Sequence, residues 1–520
     1  LGFAPFETTV LRIIKIFGKV INMLKRIGQF IGLLVLLALV LVAVVVVRTL
    51  TFGTSNDASR IELPSVPEFS SDEIATHLSD ILQLPTITLT AGDPRPGQEG
   101  PWVELRDYLQ ATYPAFNAVA ERHLVADHTI LYGWQGSDTS LDPILLMAHQ
   151  DVVPINLGTE DQWDAPPFAG IVQDGYVYGR GTVDNKTSLI TIMEAAEALA
   201  ASGYQPTRSI WIMFGHDEEV SGSGAQAGVD FFQERDIRME MVLDEGYFIV
   251  DPFPLTGAST GVIGIAEKGY VTIRLTSTAQ GGHSSTPPRN SANVQLSRAL
   301  VALDEQQMPA DFSRPPMSEM ISSVAADMPF MTRMAFANQW LFRPMIEEQF
   351  AADGASNAMI RTTTAPTMIS GSIKENVLPQ NSYALVNFRI HPNDSVETVL
   401  AHVRDVISDI DGVTADVDQS GGIGSEASPV SPTENRAYQV LASVASDAGG
   451  GVPAVPALVL GATDSRWTTE ISDNIYRFAP GVLPIGDLQG FHGTNERISV
   501  DNLERMARGY AQIMVAMSSE

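Results

Sequence analysis

The chain has no cysteine in 520 residues. Disulfides and thiolate metal sites are thereby excluded, and any bound metal must be held by nitrogen and oxygen. Charge is scarce as well, at 18% of residues against roughly 25% in ordinary soluble domains. What charge there is lies on one side, with 32 Lys and Arg against 61 Asp and Glu and a formal net charge of -29. A chain so poor in positive charge lacks the basic surface that a nucleic-acid backbone requires. No internal repeat is evident. Apolar residues, by contrast, make up 44% of the chain, enough for a large core. The length exceeds one ordinary core, so two folded domains are expected.

The longest apolar run, Phe30 to Val47, holds no charge over 18 residues. As a helix it is about 27 Å long, close to the hydrocarbon thickness of a bilayer. It is too long for the apolar part of a cleaved signal, and no small-residue cleavage site follows closely. It therefore reads as an uncleaved signal anchor over 30–48. Arg12, Lys15, Lys19, Lys25 and Arg26 precede it, and only Arg48 follows. That asymmetry puts residues 1–29 in the cytoplasm and the rest outside it, in a periplasm, lumen or vacuole. Within 10–28 the basic residues recur at helical spacing. They fit either a helix lying on an anionic membrane face or plain flanking charge. Residues 49–70, polar with Pro and Ser, read as a linker.

From Ser71 the pattern alternates helix and strand. "ILLMAHQ" and "SIWIMFG" are short apolar runs typical of buried parallel strands, and "NKTSLITIMEAAEALAASG" between them is helical. The order predicts an α/β layered domain. After Glu267 the character changes to alternating strands and amphipathic helices, an α+β unit containing a Met- and Phe-rich stretch at 308–365. Near Pro429 helix and strand return. If His492 joins the earlier polar residues, 267–415 is an insertion, and the first domain comprises 71–266 and 416–520.

The polar residues that matter sit at the ends of apolar runs. His149 and Asp151 close "ILLMAHQD", Glu218 and Glu219 close "SIWIMFGHDEE", and Asp244 closes "MEMVLDEG". Asp184 lies in "YGRGTVDNK" and His492 in "LQGFHGTNE". Unpaired charge at the end of a buried strand is costly. Convergence on a cation removes that cost, and a nitrogen and carboxylate set suits zinc or a related divalent ion. His149 fits a ligand with Asp151 as its orienting partner. In a turn, one of Glu218 and Glu219 can hold metal while the other takes a proton from water. Asp184 fits either a carboxylate bridging two cations or a helix N-cap. Asn185-Lys-Thr and Asn393-Asp-Ser also fit the glycosylation sequon.

The motifs "AHQDVVP", "GRGTVDNK", "GHDEEVSGSGA", "LDEG", "GGHSSTPP" and "GFHGTNE" resemble those of the aminoacylase/carboxypeptidase family of di-zinc metallohydrolases. The resemblance runs from about residue 70 to the C-terminus. It is strongest to the branch of carboxypeptidase S and the N-fatty-acyl-amino-acid synthase/hydrolases. It implies a zinc-exopeptidase-like catalytic domain with a mixed sheet and an inserted lid and dimerisation domain. It implies two Zn2+ ions, with Co2+ or Mn2+ as substitutes. His149, Asp184 and Asp244 would hold one ion and Asp184, Glu219 and His492 the other. Asp151 would orient His149, Glu218 would be the general base, and the peptide after Asp184 would be cis. His283 would assist the oxyanion, in many members from the other subunit. Asn376, Arg389 and Arg466 would grip a substrate carboxylate, a task the arginine fork suits. The implied substrates are peptides or N-acyl amino acids with a free C-terminal carboxylate. Two alternatives stay open here, reversible condensation of fatty acids with amino acids and a non-catalytic envelope-tethered binding protein.

Overall fold

The computed structural model describes residues 6–53, 60–419 and 424–519. The N-terminal helix runs unbroken from Phe6 to Thr51, 46 residues, or about 69 Å. Its apolar residues are exposed over most of that length. The segment read as a linker, 49–70, lies outside the described residues at 54–59. On either side of that gap it is held rather than free. Ile61, Leu63, Val66 and Phe69 pack on the main core, and the Ile61 backbone N–H donates to Ser443 at 3.1 Å. The apolar residues scattered among the polar ones of this stretch account for the difference.

The main body is built on an eight-stranded mixed sheet. Its strands run, edge to edge, Glu121–Val125, Thr129–Trp134, Ile210–Gly215, Ile144–His149, Met241–Asp251, Ile475–Pro484, Thr260–Glu267 and Ala454–Val459. Ile144–His149 is buried at every position, because helices cover both faces of a parallel core. Lys186–Ala201, Arg436–Ala448 and Val500–Ser518 supply the larger apolar layer, and Ser223–Gln233 covers part of the other face. Ile144–His149 pairs in parallel with both Ile210–Gly215 and Met241–Asp251. Parallel neighbours end at the same edge, so the residues that close these strands converge there.

The inserted unit has its own four-stranded antiparallel sheet, in the order Thr363–Ser370, Asn381–Ile390, Gly269–Thr278, Val413–Val417. Along Gly269–Thr278 burial alternates residue by residue, as one covered face demands. Ala292–Glu305 and Val396–Val406 close its core. The Met- and Phe-rich stretch behaves differently. Its helices Met317–Val324, Phe330–Ala337, Gln339–Ala351 and Gly354–Ile360 pack around Val262, Val455 and Ala457 at the edge of the large sheet. The segment 267–415 thus divides between two cores.

Lys186 ties helices together beneath the site. It opens Lys186–Ala201 but points inward, fully buried. Its ammonium donates to the carbonyls of Ile81, at 2.9 Å, and Leu84, at 2.6 Å. The first carbonyl lies in the last turn of the helix Ser71–Leu82 and the second just past its end, where a cation is favoured. Lys186→Met removes both donors while keeping the stem. We expect a loss of about 2–4 kcal/mol in urea unfolding. A loss under about 1 kcal/mol would mean that the carbonyls find other donors.

Candidate metal centre and active site

The strand Ile144–His149 ends with the His149 ring buried. Its Nδ1 faces the Asp151 carbonyl at 2.9 Å, with the Asp151 carboxylate farther off at 3.4 Å. Donation from Nδ1–H to that carbonyl fixes the ring with Nε2 facing the site. Nε2 lies 2.9 Å from Asp184 Oδ1 and 3.3 Å from Glu245 Oε1.

Asp184 meets a second histidine with its other oxygen, Oδ2, at 3.0 Å from His492 Nε2. The same nitrogen lies 3.1 Å from Glu219 Oε2. Asp184 does not cap the following helix. Asn185 holds that position, and the peptide between the two residues is cis. The Asp184 loop is pinned from behind by Glu496, fully buried, which accepts N–H bonds from Gly181, Val183 and Asp184 and pairs with Arg180 at 2.6 Å. Because Glu496 lies four residues past His492, one carboxylate holds both loops in register.

The three acids after Ile210–Gly215 divide their work. Asp217 accepts from Ser221, Ser223 and Gly224 and builds the turn. Glu218 and Glu219 point into the site. Their backbone N–H groups donate to the two Asp151 oxygens at 3.1 and 3.2 Å, and Thr88 completes that carboxylate at 2.7 Å. Asp151 therefore positions both glutamates as well as His149.

Asp244 and Glu245 take different partners. The Asp244 carboxylate accepts from the N–H groups of Ser465, at 2.7 Å, and Glu245, at 2.9 Å. The neighbouring Glu245 reaches His149 instead, and its second oxygen accepts from Asn185 at 2.6 Å. A β-bulge causes the exchange. Arg477 pairs with Asp244 and Phe478 with Tyr247, so Glu245 and Gly246 are extra residues opposite none. Gly246 has φ +150°, and a Cβ there would meet the Arg477 Cβ at 2.6 Å. A glycine in a strand commonly marks such a bulge, and Gly246 in "LDEG" was the available signal. Asn185, enclosed and bonded to Glu245, has no surface for a glycan.

Two groups of ligand-type atoms lie within 4.8 Å of one another, His149 with Asp184 and Glu219, and His149 with Glu218 and Glu245. Burial pushes Glu218 well above the usual carboxylate range, with the nearby Glu245 adding to it. Burial likewise raises Glu245 to about 8 and raises Glu219 and Asp244. Asp184 is lowered despite burial, because both histidines donate to it. His492 is raised to about 10 by its bonds to Asp184 and Glu219. The Glu219 Oε1 atom is buried without a hydrogen-bond partner. A crowd of carboxylates around two outward imidazole nitrogens, with an orphaned oxygen among them, fits divalent cations.

Asp464 stands behind this layer. It is buried, neither oxygen has a hydrogen-bond partner, and burial holds its pKa well above the usual range. Only glycine fits before it at 215, where a Cβ would meet Oδ2 at 2.3 Å.

The expected substrate-gripping residues separate into two places. Arg389 and Arg466 line one cavity of about 930 Å³, together with Lys268, Tyr270 and Ser221, two residues past Glu219. Arg466 is steadied by a bond to the Ser221 carbonyl at 3.0 Å. His283 and Asn376 lie elsewhere on the inserted unit, outside that cavity. His283 is exposed in the short strand Gly282–His283, which pairs with Val377–Leu378, and the Ser284 N–H donates to the Asn376 carbonyl. Among the described residues His283 makes no contact with the histidine–carboxylate cluster.

Comparison with known proteins agrees with this geometry. Residues 145–516 match the pattern of Peptidase family M20/M25/M40. The chain is 34% identical to the N-fatty-acyl-amino acid synthase/hydrolase PM20D1.1 of Danio rerio over 508 residues, covering 95% of this chain and 96% of that one. It is 34% identical to the probable carboxypeptidase S-like 2 of Dictyostelium discoideum over 504 residues, 95% and 94% of the two chains. Its fold resembles the crystal structure of human carnosine dipeptidase 1 with a TM-score of 0.57 at 16% identity, over 86% of this chain and 96% of that one. Sequence pattern, relatives and site agree, and the chain belongs to peptidase family M20, a family of metal-dependent hydrolases.

Proposed function

We propose that this protein hydrolyses the amide bond of peptides or N-acyl amino acids that carry a free C-terminal carboxylate. The observation that carries the reading is Asp184, whose two oxygens face different histidines. His149, Asp184 and Glu245 would hold one Zn2+, and Asp184, Glu219 and His492 the other. Co2+ and Mn2+ suit the same donors. Bound there, the cations would polarise the scissile carbonyl and bring the pKa of a water at the site toward neutrality.

The chain's own groups account for the rest. Glu218 is not needed for either ligand set. It takes the proton of the attacking water and returns it to the leaving amine. Its backbone is fixed by Asp151, so the carboxylate stays aimed. Arg389 and Arg466 offer two cationic forks to the substrate carboxylate, and Asn376 is proposed to assist from the lid. His283 supports the oxyanion. Its exposure and its distance from its own cluster favour supply to a second copy, in a homodimer formed through the lid. The N-terminal helix anchors the enzyme, with residues 1–29 cytoplasmic and the catalytic body outside the cytoplasm. The name of the Danio rerio relative favours a second reading at the same site. Condensation of a fatty acid with an amino acid is the reverse of the same step, with Glu218 running its proton transfers backward. A binding protein without turnover has no use for Glu218.

Glu218→Gln keeps shape and removes the base. We expect kcat to fall at least about a hundredfold, with zinc content unchanged. Near-normal turnover at full zinc content would remove Glu218 from the role.

Metal analysis separates the two neighbours in "LDEG". Glu245→Ala should bind fewer than two zinc equivalents per chain, and Asp244→Asn should keep both. The opposite pattern would restore Asp244 as the ligand.

Chelated protein should lose thermal stability as pH rises. Glu218, Glu219 and Glu245 have raised folded pKa values, so the folded state holds more protons than the unfolded one above about 4.5. Stability is then full below that pH and is lost up to about 8, where Glu245 ionises. The raised His149 and His492 act in the same direction above their ordinary 6.5. Added zinc should cancel the loss. A chelated protein equally stable at pH 5 and 8 would show that these buried carboxylates are not held protonated in the folded state.

A further inference from the structure

The end of the N-terminal helix is docked, not hinged. The Asn338 amide donates to the Val45 carbonyl and the Thr49 hydroxyl, both at 3.3 Å. Arg48 donates to the Ala337 carbonyl at 3.0 Å, and Arg333 to the Phe52 carbonyl at 2.6 Å. Val45 and Thr49 are buried by this contact, in a helix otherwise exposed. The partner is the helix Phe330–Ala337 and the start of Gln339–Ala351.

Those same two helices carry large apolar side chains that stand exposed among the described residues. Phe330 is 52% exposed, Met331 66%, Trp340 59% and Met345 53%, with Leu341 beside them at 42%. In Gln339–Ala351, Leu341 and Met345 are one turn apart and so share a face. Phe330 and Met331 start the helix that bonds to Phe52. Trp340 follows two residues after the Asn338 that bonds to Val45.

The length of the apolar run fixes the depth of this contact. Phe30–Val47 spans about 27 Å, no more than a bilayer's hydrocarbon thickness. Every residue of it is needed to cross, Val45 included. A helix packed on Val45 therefore lies at the hydrocarbon boundary, where exposed Trp and Phe are favoured. The patch is not basic. Arg333 is spent on the Phe52 carbonyl, and Arg343 on Glu347 and the Ala310 carbonyl. The chain's net charge of -29 also disfavours an anionic surface.

We infer that Phe330, Met331, Trp340, Leu341 and Met345 form a second membrane contact, seated in the bilayer interface beside the anchor, which fixes the catalytic body against the membrane. The inference rests on the reading of the N-terminal helix as an anchor. The contact is apolar, so it needs no charged lipid.

The absence of cysteine makes the test direct. Full-length chains with one introduced cysteine, at Met331, Trp340, Val40 or Leu124, are labelled with an environment-sensitive fluorophore. They are reconstituted in phosphatidylcholine vesicles without bromine, with lipids brominated near the headgroup end of the acyl chain, or with lipids brominated near its methyl end, the last set reading Val40. Val40 reports the anchor. Leu124 lies in Glu121–Val125, the sheet edge opposite Ala454–Val459, roughly 33 Å away across the strands. The expected result is blue-shifted emission and loss of fluorescence on brominated lipid at Met331→Cys and Trp340→Cys, and neither at Leu124→Cys. Quenching at Val40→Cys with Met331→Cys and Trp340→Cys behaving like Leu124→Cys overturns the second contact and leaves the anchor. No quenching at Val40→Cys overturns the anchor reading itself. A blue shift at Met331→Cys and Trp340→Cys without lipid quenching also overturns the inference, and assigns the patch to a protein surface such as a second copy of the chain.

Discussion

The carboxylate of Asp184, shared between two histidines, is the contact on which the site depends. It draws His149 from the middle of the sheet and His492 from a loop near the C-terminus to one point. The cost of the arrangement is concentrated there as well. Glu218, Glu219 and Glu245 crowd the same space, and burial raises the pKa of each. Enclosed like charges of this kind are tolerable only when protonated or neutralised by a cation. The same feature that weakens the metal-free protein therefore gives the metal its affinity.

Neighbouring acids work in pairs, one facing the reaction and one holding the backbone. Asp217 builds the turn that Glu218 and Glu219 use. Asp151 fixes the N–H groups of both glutamates. Asp244 holds the Ser465 N–H, and Glu245 reaches His149. Glu496 holds the Asp184 loop from the far side. Each supporting carboxylate accepts from backbone N–H groups, and Asp217, Asp151 and Glu496 take side-chain partners as well. Loss of one would displace a functional group without touching it, which is how a site on loops acquires the rigidity of the sheet beneath it.

Much of the fold was legible because its signals are local. Apolar runs such as "ILLMAHQ" and "SIWIMFG" marked central parallel strands, and the change of pattern after Glu267 marked the inserted sheet. The convergence of His149, Asp184, Glu219 and His492 followed from the rule that parallel strands end at one edge, joined to a family resemblance. What was hidden depends on partners distant in the chain. Strand alternation predicts nothing about Glu245, since a bulge against Arg477 and Phe478 re-aims it. The Glu496–Arg180 pair spans 316 positions. The helices of 308–361 pack on Val262, Val455 and Ala457 rather than on the sheet they interrupt, a choice that composition does not record. The stretch 60–70 reads as part of a tether because it is polar with Pro and Ser, yet each of its few apolar residues finds a place on the core.

The central claim is that Asp184 stands between two cations, with Glu245 closing one site and Glu219 the other. Anomalous scattering from crystals of the zinc-loaded protein, collected on both sides of the zinc absorption edge, tests it most directly. The account predicts two peaks, one bounded by His149, Asp184 and Glu245, the other by Asp184, Glu219 and His492. A single peak, or a peak coordinated by Asp244 in place of Glu245, would contradict it.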